Sequence, residues 1–212
     1  MTKLRINLLG PPEILWGDQR LNINRRTPRT LLYFLASQTN YIGRGRLLSI
    51  FWQDSSPTKA RKRLRETLSR IRAEIPLKNV IAVENDLVGL DYSDLSVDIT
   101  EFRELQALIG KIPISNPSDQ TLPDDIQEYM ISAVNLWRGS EFLEGTELPN
   151  SAILEDWRYQ TNLHLTRART HLVTRICDHY IAVGQYEKGL AYSRLAVEND
   201  NLNEGLHFRI LK

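Results

Sequence analysis

Cysteine is almost absent. Cys177 is the single one among 212 residues, which excludes an internal disulfide framework and fits a reducing cytoplasm. Long apolar runs are missing too, since none nears the roughly 18 residues of a membrane-spanning helix. Lys3 and Arg5 precede only Ile6-Asn7-Leu8-Leu9 before Gly10-Pro11-Pro12 stops the run. A signal peptide is therefore not expected, and the chain reads as cytoplasmic, with no membrane partner. Catalytic signatures are lacking as well: there is no Gly-rich phosphate loop ending in Lys-Ser/Thr, no His-Glu-x-x-His and no Gly-x-Ser-x-Gly. The paired carboxylates Asp124-Asp125 and Glu155-Asp156 fall at helix starts, where they favour the dipole. His164, His171 and His179 invite a metal reading. His164 and His171 share a helix face, but two turns hold them about 10 Å apart, and no carboxylate completes a ligand set. Neither an enzyme nor a bound metal or cofactor is expected.

What the chain has is an ordinary globular composition, 42% apolar and 25% charged, and length enough for two domains. Its net charge of +1 is an average over unlike halves. Residues 1–93 hold 16 Lys and Arg against 8 Asp and Glu, and residues 94–212 hold 11 against 18. A basic domain that faces nucleic acid, joined to an acidic domain with another task, fits that asymmetry.

Leu4, Ile6 and Leu8 alternate with polar residues, the period of a half-buried strand. Glu13 to Trp16 and Leu21 to Ile23 flank Gly17-Asp18 as a hairpin. Thr27 before Pro28 predicts a helix N-cap, with the helix reaching about Gln38 and Leu31, Leu32, Phe34 and Leu35 inward. A short helix is predicted from Arg46 to about Trp52. The basic stretch then runs from Ser56, a candidate N-cap, through Pro57 at the first helical position to about Ile75, just before Pro76. Ala60, Leu64, Thr67, Leu68, Ile71 and Ile75 recur on one face, and the turns between are almost wholly cationic. A solvated face usually mixes signs. One of a single sign repels itself unless something negative lies against it. Val80 to Val83 and Leu87 to Leu90 read as two strands around Glu84-Asn85-Asp86.

Beyond residue 94 the pattern is helical hairpins: Asp98 to Ile109, Asp124 or Asp125 to Trp137, Ser151 to Val183, Tyr186 to about Glu198, and a further helix near Leu202. Lys111 to Pro123 reads as a loop.

These residues resemble a known family. Leu8-Leu9-Gly10, Arg29-Thr30-Leu31-Leu32, Leu48 with Phe51-Trp52 and Asp54, then Ala60-Arg61, Leu64-Arg65 and Leu68-Ser69-Arg70-Ile71-Arg72 resemble the OmpR/PhoB-type winged helix-turn-helix. It is the form found in the SARP family of bacterial antibiotic-pathway regulators. Val97-Asp98 with Phe102, then Leu136-Trp137-Arg138-Gly139 with Phe142-Leu143, resemble the bacterial transcriptional activator domain that follows it there. Tyr180, Gly184, Tyr186 and Ala196 fall at tetratricopeptide spacing, with Cys177 at the small-residue position of close helix approach. The resemblance implies an α+β winged-helix domain over 1–93 and an all-α, TPR-like domain over 94–212. A stacked repeat needs its neighbour, so the natural protein is expected to continue past Lys212.

The function implied is DNA binding and transcriptional regulation, activation by family resemblance. The basic helix, about 57–75, would enter the major groove of double-stranded DNA. Lys59, Lys62, Arg63 and Glu66 are the expected base contacts, since Lys and Arg donate to guanine and Glu accepts from cytosine. Arg25, Arg26, Arg44, Arg65 and Arg70 are the expected phosphate contacts. Asn85 at the acidic wing tip could reach DNA, or the tip could stand off the duplex and serve a protein. Trp52, Gln53 and Asp54 occupy a loop that touches RNA polymerase in the families resembled. Trp52 packing on the helix pair is the plainer alternative. Self-association and further domains of the same chain are the other partners expected. The competing reading is an interaction module whose helical repeats work while its winged domain no longer binds DNA.

Overall fold

The alternation at Leu4 and Ile6 yields β1 (Leu4–Asn7), both side chains wholly buried. In the computed structural model, which describes residues 3–111 and 121–199, β2 (Glu13–Trp16) and β3 (Gln19–Leu21) follow as a hairpin around Gly17-Asp18, its second strand starting at Gln19 rather than at the expected Leu21 because Trp16 pairs with Gln19 across a tight turn. Then come α1 (Arg26–Ala36), β4 (Ile42–Gly43), α2 (Arg44–Phe51) and α3 (Pro57–Glu74). The strands β5 (Ile81–Glu84), β6 (Leu87–Leu90) and β7 (Leu95–Val97) complete the mixed part. Helices α4 (Asp98–Lys111), α5 (Asp124–Asn135), α6 (Ala152–Ala182) and α7 (Tyr186–Asn199) make up the rest. This is the α+β winged helix-turn-helix followed by a helical, TPR-like region that the sequence implies. Among the described residues no helix is long and apolar enough to cross a membrane.

Two sheets hold the helices. One has the order β3-β2-β1-β7 and the other β4-β6-β5, the wing. Strand β7 runs parallel to β1, pairing Leu4 with Leu95 and Ile6 with Val97. Asp98, 1% exposed, fastens that junction: its Oδ2 accepts from the backbone N–H of Leu8 at 2.6 Å and of Leu9 at 2.8 Å.

The helix ends correct two expectations. Helix α1 starts at Arg26 with Arg25 at its N-cap, rather than at Pro28 behind Thr27. Proline is tolerated anywhere in a first turn, where N–H groups lack helical partners, so it does not fix the register. Ser56 does occupy the N-cap of α3 with Pro57 next, but its hydroxyl makes no capping bond.

The chain forms two compact units, residues 1–100 with 143–160, and residues 101–142 with 161–212. Within the first unit, Leu143 N–H donates to the Leu8 carbonyl at 3.0 Å and Glu144 N–H to that of Gly10 at 3.1 Å. Trp157 meets Phe34 edge-on with centroids 5.1 Å apart. The core beneath is Leu31, Leu32 and Leu35 of α1 with Leu64, Leu68 and Ile71 of α3.

In the second unit Arg169 lies over the Trp137 ring at 4.7 Å and donates to the Gly139 carbonyl at 3.0 Å. Helix α6 ends in a Schellman turn: Gly184, at φ 74°, donates to Ile181, and Gln185 to Tyr180. Cys177, 2% exposed, sits 2.9 Å from the Ser193 hydroxyl, as expected where two helices approach closely. The nine residues 112–120 of the expected loop, and the helix expected near Leu202, lie outside the described residues.

Candidate nucleic-acid interface

Helix α3 exists because its stripe pairs with the core. Ala60, Leu64, Thr67, Leu68 and Ile71 are buried, while Lys59, Arg61, Lys62, Arg63, Arg65 and Glu66 are exposed. Exposed face and apolar face therefore separate as the sequence predicts.

The cations divide into two flanks. On one, Arg25, Arg26, Arg63 and Arg70 surround an open groove of about 500 Å³ together with Trp52 and Glu66. On the other, Arg44, Arg61 and Arg65 line a cavity of about 380 Å³ with Asp86 of the wing. Lys59 and Lys62 line neither and stand on the outer surface between α3's margins.

Four of these nine cations have an ion-pair partner among the described residues. Lys62 lies 3.8 Å from Glu66, and Arg70 lies 3.9 Å from Glu74, each one helical turn away. The Lys62 pair is exposed on both sides and holds weakly, at about 0–1 kcal/mol, whereas the Arg70 pair is half-buried. Arg26 is engaged by Glu147, and Arg44 Nε lies 4.0 Å from the Asp86 carboxylate. Lys59, Arg61 and Arg65 have no ion-pair partner among the described residues.

Arg63 is aimed by the loop before α3, since its Nη1 donates to the Ser55 hydroxyl at 2.9 Å. That bond places it with Arg25 and Arg70 on one flank. Arg61 was not singled out from the sequence, although it stands one turn before Arg65 on the same margin, and that spacing is its signal. Arg72 donates to the Ile81 carbonyl at 3.3 Å and so ties α3 to the wing.

At the wing tip Asn85 is exposed at φ 54°, a conformation asparagine tolerates better than most residues. Its placement is accounted for by the turn. Trp52 is half-buried, 5.6 Å from the Phe51 ring, and also forms part of the groove wall, while Gln53 and Asp54 are exposed. His164 and His171 are exposed, and His179 is buried with its Nδ1 accepting from Leu122 N–H at 2.9 Å. Among the described residues no three His, Cys, Asp or Glu side chains converge to hold a metal ion.

No curated protein sequence matches the chain. Among solved structures, Mycobacterium tuberculosis EmbR in complex with a low affinity phosphopeptide is similar in fold, at a TM-score of 0.54 and 16% identity. The similarity covers 100% of this chain and 65% of that one, so this chain spans less than two thirds of its neighbour's length. Residues 97–212, more than half of the sequence, match the bacterial transcriptional activator domain. The chain therefore belongs to the bacterial transcriptional activator domain family, in the SARP-type arrangement its residues resemble.

Proposed function

We propose that the chain is a sequence-specific DNA-binding transcriptional regulator, an activator by family, that docks α3 in the major groove. One observation carries this: cations line both margins of α3, separated by its exposed face. A major groove about 12 Å wide admits one helix between two phosphate backbones. A helix seated there meets phosphate on each side, so Arg25, Arg26, Arg63 and Arg70 serve one strand and Arg44, Arg61 and Arg65 the other. Arg63 thereby moves from the base-reading set to the phosphate set. Lys59, Lys62 and Glu66 remain to read base edges, Glu66 selecting the cytosine amino group.

Residues 1–93 supply this DNA contact, and residues 94–212 form the activator domain, which offers helical surface to further protein. Gln53 and Asp54, exposed beside α3, are the polymerase-facing part of the loop, and Trp52 anchors it. The wing stands off the duplex, because Glu84 and Asp86 repel phosphate and Asp86 is turned toward Arg44.

Footprinting the chain on its own upstream DNA tests the reading. A protected site is expected, with Lys62→Ala and Glu66→Ala relaxing sequence preference and Arg70→Ala weakening all duplexes alike. Equal losses from all three changes contradict the division of roles. No protection at low salt leaves the adaptor reading in its place.

A further inference from the structure

Arg26 and Arg29 are less than one turn apart in α1 yet open on different cavities. Arg26 borders the groove beside α3, whereas Arg29 lines a separate pocket of about 440 Å³. Strands β2 and β3, helix α1 and the segment around Glu144 wall that pocket, all within the first unit.

Its charges are not equally engaged. Arg20 Nη1 lies 3.5 Å from Glu13, and Glu147 is held by Arg26. The Arg29 guanidinium makes no hydrogen bond or ion pair among the described residues, and its Nε–H is buried without an acceptor. A charged donor shut away from water is costly unless something accepts from it. Tyr33, 4% exposed, lines the same pocket one turn along α1. Burial pushes its phenol above the ordinary value, while Arg29 and Arg20 draw it back, so it remains a donor at neutral pH. The pocket thus presents two donors suited to an anion. The pocket lining also includes Glu144, on the segment that returns beside α1's pocket face, which disfavours a bare polyanion and suits a ligand that also carries a cation.

We propose that this pocket binds a small amino-carboxylate, its carboxylate on Arg29 and the Tyr33 hydroxyl and its ammonium group on Glu144. The site is separate from the DNA reading and stands or falls without it. Carboxylate geometry matches the planar guanidinium fork, and a carboxylate such as Glu144 accepts several donors at once.

The test uses the whole chain labelled with ¹⁵N at arginine. The Arg29 Nε–H resonance is the one missing from the Arg29→Gln spectrum. Glycine is expected to shift it saturably, acetate to do so more weakly, and methylamine and inorganic phosphate not to do so. Glycine should also raise the melting temperature, and that rise should vanish in Arg29→Gln. Tyr33→Phe should weaken glycine binding about threefold to tenfold, which keeps the test available if Arg29→Gln fails to fold. No saturable shift with glycine, phosphate binding as tight as glycine, or a glycine-induced rise retained in folded Arg29→Gln overturns the site. Acetate binding as tightly as glycine overturns the role given to Glu144.

Discussion

The carboxylate of Glu147 closes onto the guanidinium of Arg26 at the first residue of α1, beside the groove that flanks α3. The two are 121 residues apart in sequence, and both belong to the first unit because the segment from Leu143 returns to hydrogen-bond at Leu8 and Gly10. The first turn of α1 has no acidic residue of its own, so Arg25 and Arg26 oppose the helix dipole there. Glu147 is the local compensation for them, and it competes with any phosphate that approaches Arg26.

Glu147→Gln should therefore tighten duplex binding about twofold to fivefold at low salt, the scale of one exposed ion pair. Fluorescence anisotropy measures this. In an Arg26→Ala background the same change should have little effect, because the competing pair is already gone.

Asp98 joins β7 to the end of β1 through two backbone N–H groups in a buried site. Asp98→Ala strands both donors and should cost about 3 kcal/mol of stability. Urea denaturation reads the loss, and Asp98→Asn, which can still accept, should lose less.

Gly89 in the wing lies so close to Tyr41 that an added Cβ would stand 2.1 Å from the ring's Cδ1. Gly89→Ala should destabilise by about 1–3 kcal/mol, the usual cost of overpacking. Removing the ring as well, in a Tyr41→Ala background, should recover part of that loss, and a double-mutant cycle by thermal melting shows it.

His179 gives the second unit a pH dependence. Burial lowers its pKa below the ordinary value, and Asp124 draws it partly back. The folded chain holds the ring neutral, with Nδ1 accepting from Leu122, whereas the unfolded chain takes up a proton near pH 6.5. The stability it contributes is thus complete above about pH 6.5 and is lost as pH falls through the lowered folded value. Melting temperature measured from pH 7.5 to pH 5 should fall across that window, and His179→Gln should flatten the curve.

Much of the candidate interface was legible because α3 writes its burial in a long, regular stripe. Ala60, Leu64, Leu68 and Ile71 separate core from cation without any need of tertiary information. Strands β4 and β7 were not foreseen, since two and three residues are too few to display a period. The return of Leu143 and Glu144 to β1 was equally invisible, because its hydrogen bonds are backbone to backbone and no side chain marks them. For the same reason the sequence placed Arg26 among phosphate contacts without revealing Glu147 beside it. Arg63 was expected among the base contacts from its place in the helix, and no sequence pattern marks the hydrogen bond it donates to the Ser55 hydroxyl.

The most direct measurement of the central claim is the affinity of the chain for duplex DNA as salt is raised. Binding should fall steeply, and replacing Arg25 with Arg70, or Arg61 with Arg65, by alanine should each reduce the slope of log K against log salt by about two. A slope near zero, or one unchanged by both pairs of substitutions, would contradict the account.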